Sequence, residues 1–458
     1  MTTKLSASAG LAKAHNIADR FYHSSFYLYL ITAIGIWGFV FSREIAAIYI
    51  ILVFAFTGLA LCRDIIPFFI AVMIVGLTPL ARHNQADFFR PLYYAPLIII
   101  PGIIARILLT PTPLEKGFFF APTLAVAISV TLGGAFFLSL KQYFSMPAMY
   151  YVIGLGFGML FVYAFLEGAV PKRCARAQID FFAKIMACAG VMGIIMILSY
   201  YLRNYHLIKE DYALFNFRLQ WGNNLSNNLL ITMPLTFYLA SRAQKPLPLF
   251  VLGILQYFAL MLSLSRGGMI FSIIGLAGGV AFCVYYAKGH RGRLVAVFVI
   301  MMCAFTALLI PHIDTIISQL NITNDESRLL MYKLAIKLFK QHPLFGTGLA
   351  YNPGLYYFPK SMCIYWYHST LFQVLASLGL VGAAAYLMQF LFRLKALLGA
   401  KGKFNTFAAL SFAGFAAYSM VNVGYFTPLP FVLILTMFFI MVERNNRPVK
   451  TDRFSEQR

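Results

Sequence analysis

The sequence predicts an all-α polytopic membrane protein, a bundle of about 12 (12–14) transmembrane helices with a long outer loop that contains a surface helix. Three observations predict it. Of 458 residues, 60% are hydrophobic and only 11% charged, and the mean hydropathy is +0.76. Apolar runs of about 17–25 residues, each long enough to cross a bilayer, recur along the whole chain. Polar residues collect in one stretch, Pro311 to His368, which passes through Asn324-Asp325-Glu326-Ser327-Arg328 and closes on Tyr365-Trp366-Tyr367-His368.

The expected spans are 24–42, 45–62, 65–81, 92–109, 123–140, 147–166, 181–202, 222–240, 248–265, 267–287, 294–311, 369–392, 404–423 and 426–442. Two short early ones could merge or lie in the interface, which is why 12 stands beside 14. Met1 to Arg20 is polar, and the first apolar run meets Arg43-Glu44 rather than a small-residue cleavage site, so no signal peptide is expected. The six cysteines, at 62, 174, 188, 283, 303 and 363, show no Cys-x-x-Cys pair and no disulfide framework.

A net charge of +22 would suggest nucleic acid in a soluble protein. In a chain of spans it is read through topology instead, and no nucleic-acid partner is expected. With both termini in the cytoplasm, the basic segments Lys4/Lys13/Arg20, Lys172-Arg173, Arg242/Lys245, Lys288/Arg291/Arg293, Arg393/Lys395/Lys401/Lys403 and the Arg444–Arg458 tail all fall inside. The loops 203–221 and 312–368 then face outward, to the periplasm in a Gram-negative cell, and they hold many of the remaining basic residues. The chain divides into a helix bundle (1–311), the outer loop (312–368) and C-terminal spans with a cytoplasmic tail (369–458).

Within the loop, 325–341 reads as a helix. Asp325 can cap it, Leu330, Leu334 and Leu338 recur at helical spacing, and Lys333, Lys337 and Lys340 share the other face. Pro343 and Gly346-Thr347-Gly348 end it. Such a helix would lie along the membrane surface with its lysines in water; contact with lipid phosphates is the sharper alternative.

Three arginines gather on the outer side: Arg218 just before a span, Arg266 in Leu264-Ser265-Arg266-Gly267-Gly268 between two closely spaced spans, and Arg328 at the start of the loop helix. An arginine at span centre costs about 2.5–3.5 kcal/mol on insertion scales, so it snorkels, pairs with a carboxylate or meets a ligand. Outer carboxylates are few: Glu44, Asp87, Glu210, Asp211, Asp314, Asp325 and Glu326. Three guanidinium groups with so few counterions suit a diphosphate, whose oxygens they grip bidentately. His368 is either an interfacial histidine or a neutral imidazole able to take a proton from a hydroxyl. No clustered His/Asp/Glu set reads as a metal site. The sequons Asn224-Leu225-Ser226 and Asn321-Ile322-Thr323 say little.

Three places resemble the O-antigen ligase family: Leu264 to Phe271; Ser327-Arg328 with His342-Pro343-Leu344-Phe345-Gly346-Thr347-Gly348; and His368-Ser369 followed, after nine intervening residues, by Gly379-Leu380-Val381-Gly382. The resemblance covers roughly 215–385. It implies a metal-independent, cofactor-free enzyme of the bacterial inner membrane, with its active site on the periplasmic side. Such enzymes move a glycan from undecaprenyl diphosphate to a sugar of lipid A–core. By resemblance, His368 activates the acceptor hydroxyl, and Arg218, Arg266 and Arg328 bind the diphosphate. The partners implied are the carrier-linked donor, lipid A–core and the bilayer. Two other readings stay open. An O-antigen polymerase shares the arginines and the Pro-Leu-Phe-Gly-Thr-Gly pattern and differs in its acceptor. A polysaccharide or lipid transporter would carry ionisable residues near mid-membrane, where this chain has few.

Overall fold

The computed structural model describes residues 2–77, 94–110, 112–172, 174, 176–205, 220–313, 326–351, 366–399, 401–422, 424 and 431–447. Among them every regular element is a helix. A chain this apolar has no water to satisfy its backbone inside a bilayer, so each segment closes its own hydrogen bonds. In order these are α1 (Thr2–Tyr22), α2 (Ser25–Val40), α3 (Glu44–Leu61), α4 (Phe68–Leu77), α5 (Pro96–Leu109), α6 (Phe120–Leu132), the short α7 (Leu140–Tyr143), α8 (Met146–Leu155) and α9 (Phe157–Ala169). There follow α10 (Arg176–Arg203), α11 (Gln220–Ala240), α12 (Leu247–Leu262), α13 (Arg266–Tyr286), α14 (Arg291–Leu309), α15 (Glu326–Gln341), α16 (Thr370–Leu398), α17 (Lys403–Ser419) and α18 (Phe431–Asn446).

Each of the fourteen expected spans falls on a helix, with 147–166 divided between α8 and α9 at Gly156. Length is a stricter test than position. Among the described residues six helices are long and apolar enough to cross a membrane: Glu44–Leu61, Tyr151–Ala169, Arg176–Arg203, Arg266–Tyr286, Arg291–Leu309 and Thr370–Leu398. A seventh is reached if Gly10–Tyr22 and Ser25–Val40, bent by 64° at their junction, make one span. Phe68–Leu77, Pro96–Leu109, Phe120–Leu132 and Leu247–Leu262 are apolar but shorter. Phe120–Leu132, thirteen residues long, rises only about 20 Å against a hydrocarbon core of about 30 Å. The protein is a multi-pass helical membrane protein, with six or seven helices of spanning length and composition among the described residues.

Polar contacts sort the helix termini into two opposite ends. At one, which we call the charged end, His23 meets Asp64, Gln178 donates to Asp64, Arg242 pairs with Asp180, and Arg444 pairs with Glu167. At the other, Tyr201 donates to the Leu262 carbonyl, Ser265 bonds Asn223, and Thr370 donates to the Asn422 carbonyl. Helix α10 runs from Gln178 at the first end to Tyr201 at the second, and α11, α16 and α17 likewise join the two. The central helix is α11, packed by α10, α12, α13 and α17, with Leu229, Met233 and Phe237 fully buried. At the periphery, α14 buries only Leu294 and leans on α12 through a stacked Phe258–Phe305 pair.

Helix α15 forms as expected over Glu326–Gln341, with its three lysines exposed. Its buried stripe is rotated from the expected one. Ala335 and Leu338 are buried and Met331 and Leu334 pack beside them, whereas Leu330 is 60% exposed. The stripe follows i, i+3, i+4, i+7, the true helical seam. It meets Tyr367, Phe372 and Ala376, so α15 lies on the outer segment of α16.

Candidate active site

The turn before α13 shows how the sequence builds the site. Leu264 takes a left-handed conformation (φ 54°) and reverses the chain within three residues of the end of α12. Ser265 then heads α13 without capping it. Its hydroxyl instead donates to Asn223 Oδ1 (2.9 Å) and lies 2.9 Å from Tyr418 Oη. Gly267 and Gly268 let the helices approach. A Cβ on Gly267 would stand 2.8 Å from the Tyr418 ring, and one on Gly268 2.6 Å from Ser226 Oγ. The glycine pair therefore seats α13 against α17 and α11, where the sequence suggested close approach to a ligand.

Tyr418 is the hub. It is almost wholly buried, donates toward Asn223 Oδ1 (3.0 Å), and accepts from Asn422 Nδ2 (2.8 Å). The Asn422 carbonyl accepts from Thr370 Oγ1 (3.3 Å), two residues beyond His368. Arg328, half-buried in the first turn of α15, lies near enough for its charge to act on the Tyr418 phenol. The Arg266 turn, Arg328 and the His368 segment thus converge on one tyrosine.

His368 adopts φ 50°, left-handed for a residue with a side chain. Such a conformation costs about 1–3 kcal/mol and persists where surroundings hold it. Here they do. Tyr367 is buried against α15, and its N–H donates to Gln373 Oε1 (3.0 Å). Gln373 Nε2 in turn donates to Ser377 Oγ (3.1 Å). On the other flank, Tyr332 Oη donates to the His368 carbonyl (3.4 Å) while its ring stacks on Phe372 at 4.4 Å. Ser369 then heads α16.

Below this, α16 is broken. Gly379 has φ 63° and ψ −154°, a region open essentially to glycine alone. The break frees two carbonyls above it and two N–H groups below it. The Pro343–Gly348 segment takes both sets. Thr347 and Gly348 N–H donate to the Ala376 and Ser377 carbonyls (both 2.9 Å), and Leu380 and Val381 N–H donate to the Pro343 and Leu344 carbonyls (2.8 and 3.1 Å). A Cβ at Gly379 would lie 2.5 Å from the Leu344 oxygen. This strap explains why Pro-Leu-Phe-Gly-Thr-Gly and the spacing from His368 to Gly379 occur in one chain: each satisfies the other's backbone.

Arg218, Asp325, Cys363, the loop residues 314–325 and 352–365, and with them the sequon at 321–323, lie outside the described residues. Among the described residues no three His, Cys, Asp or Glu side chains come together as metal ligands would. Burial pushes the Cys174 thiol up to about 12, which suits a structural rather than a nucleophilic cysteine.

Residues 249–387 match the family model described as O-antigen ligase. Over that segment the chain is similar to the O-antigen ligase family. Comparison with curated proteins finds no match. The family segment contains Arg266, Arg328, the strap, His368 and Gly379, and it supports a glycosyltransferase-type activity, ligase or polymerase in kind. Asn223, Tyr418 and Asn422 lie outside it and were missed by sequence reasoning. The one signal that could have raised them was their polarity within otherwise apolar spans, the Asn223-Asn224 and Asn227-Asn228 pairs above all.

Proposed function

We propose that this protein is an O-antigen ligase of the bacterial inner membrane. In this reading it transfers a glycan from undecaprenyl diphosphate to a sugar hydroxyl of lipid A–core at the periplasmic face. The observation that carries the reading is the convergence of the Arg266 turn, Arg328 and the His368 segment on Tyr418. The charged end is then cytoplasmic with both termini, and the 312–368 loop is periplasmic.

In the reaction, the His368 imidazole takes the proton of the acceptor hydroxyl as its oxygen attacks the anomeric carbon. The bond from that carbon to the phosphate oxygen breaks, and the configuration inverts in a single displacement. Undecaprenyl diphosphate leaves with the electron pair. Arg266, Arg328 and Arg218 hold its phosphates, and fixed positive charge stabilises the leaving group without a metal.

The test is a strain lacking this gene, with lipopolysaccharide and carrier-linked glycan resolved together by chain length. Long glycan stranded on undecaprenyl diphosphate beside bare lipid A–core is the result expected. Lipid A–core capped by a single repeat would make the protein the polymerase. Unchanged profiles of both would remove the transferase reading.

A further inference from the structure

Asn223 stands on α11, half-buried, beside the places where two other helices begin. Arg266 starts α13 and Thr370 starts α16, and the Asn223–Ser265–Tyr418–Asn422–Thr370 chain of hydrogen bonds ties Asn223 to both starts. Helix N-termini carry partial positive charge, so this corner of the molecule favours an anion before any arginine is counted.

The hydrogen bonds also fix which way the Asn223 carboxamide faces. Asn422 Nδ2 already donates into Tyr418 Oη, so the phenol's own proton must go elsewhere. Asn223 Oδ1 lies 3.0 Å from that phenol and 2.9 Å from Ser265 Oγ. One oxygen accepting from both hydroxyls satisfies all three groups. In a planar amide the NH2 group then points away from the hydroxyl pair.

We propose that Asn223 is a donor-binding residue, its carboxamide N–H turned by Ser265 and Tyr418 to donate to a phosphate oxygen of the carrier diphosphate. This rests on the transferase reading above and adds a neutral donor to the arginines. Tyr418 acts as a positioning residue, since its hydroxyl is spent on Asn223, Ser265 and Asn422.

Two substitutions distinguish this from a purely structural asparagine. In Asn223→Asp, one oxygen still accepts from Ser265 and Tyr418, so the hydrogen-bond network is kept. The second oxygen, however, sets negative charge against the phosphate. Asn223→Ala removes the N–H and adds no charge. The measurement is binding of undecaprenyl diphosphate to the full chain in nanodiscs, with thermal melting of each variant. Wild type should bind tightest, Asn223→Ala more weakly, and Asn223→Asp weakest, by at least about tenfold relative to wild type. Tyr418→Phe should weaken binding in the wild-type background and add little in Asn223→Asp. The opposite order, with Asn223→Asp near wild type and Asn223→Ala poorest, would overturn the proposal and leave the transferase reading standing. Wild-type protein that binds no undecaprenyl diphosphate would overturn both.

Discussion

The two ends of this bundle handle polar groups in opposite ways. At the charged end, buried arginines meet fixed partners. Arg444, with its side chain fully buried, pairs with Glu167 at 2.8 Å; Arg447 reaches both Glu167 and Glu443; Arg106 donates to the Cys62 and Arg63 carbonyls. At the Tyr418 end, the network is made of neutral groups: an asparagine amide, three serines, a phenol, a second asparagine and a threonine. Internal ion pairing closes an end of a bundle and makes it rigid. A neutral network fixes positions through hydrogen bonds alone, without ion pairs within it. On the proposed function, architecture belongs to one end and chemistry to the other.

Breaking the charged end should produce the largest effect. Glu167→Ala leaves Arg444 buried without its carboxylate, and removing one partner of a buried pair costs about 3–5 kcal/mol. Thermal melting in detergent should fall steeply, while donor binding per folded molecule stays unchanged. Impaired donor binding in the folded fraction would mean that the two ends are not independent. Breaking the other end should leave stability nearly alone. His368→Ala should cut glycan transfer about 100-fold or more, the lower bound for a general base, with donor affinity retained. Near-normal transfer in a reconstituted assay would remove His368 as the base. Between these lies Gly379→Ala. Forcing a side chain into its backbone conformation should cost about 1–3 kcal/mol, and the strap should loosen with it. Hydrogen exchange at Leu380 and Val381 reads that directly, and unchanged protection would refute the strap's role. The smallest effect sharpens the comparison. Arg266→Lys keeps a charge but loses the bidentate fork, so donor affinity should drop about tenfold. Full affinity in Arg266→Lys would mean that charge alone suffices there.

Much of the bundle was legible because apolar runs and helices share one cause: lipid excludes unpaired backbone. Spanning length was less legible, since breaks such as the turn after Leu132, inside the run expected at 123–140, are set by local geometry rather than by hydropathy. The break at Gly379 was invisible for a related reason. The run from 369 to 392 is continuously apolar, and glycine is ordinary in membrane helices. Gly346-Thr347-Gly348 was read as the stop of α15, which it is, but its main work is done across the chain on α16. The rotated stripe of α15 turned on Ala335, whose small side chain fits against Tyr367 and Ala376 where a leucine pattern drew attention elsewhere. Arg266, Arg328 and His368 stood out because each sits in a distinctive local motif. Tyr418 did not, because its meaning lies in contacts with Ser265, 153 residues away in the chain.

The strap has a further consequence, for how this loop can change. Tyr351 and Tyr367 pack on one patch with Ala335, Leu338 and Ala376. The two points of the chain that flank 352–366 are thus held together by residues of α15 and α16, and lengthening a closed segment costs only about 0.6 kcal/mol per doubling. Insertions between them should leave the patch, and with it the backbone at His368, in place.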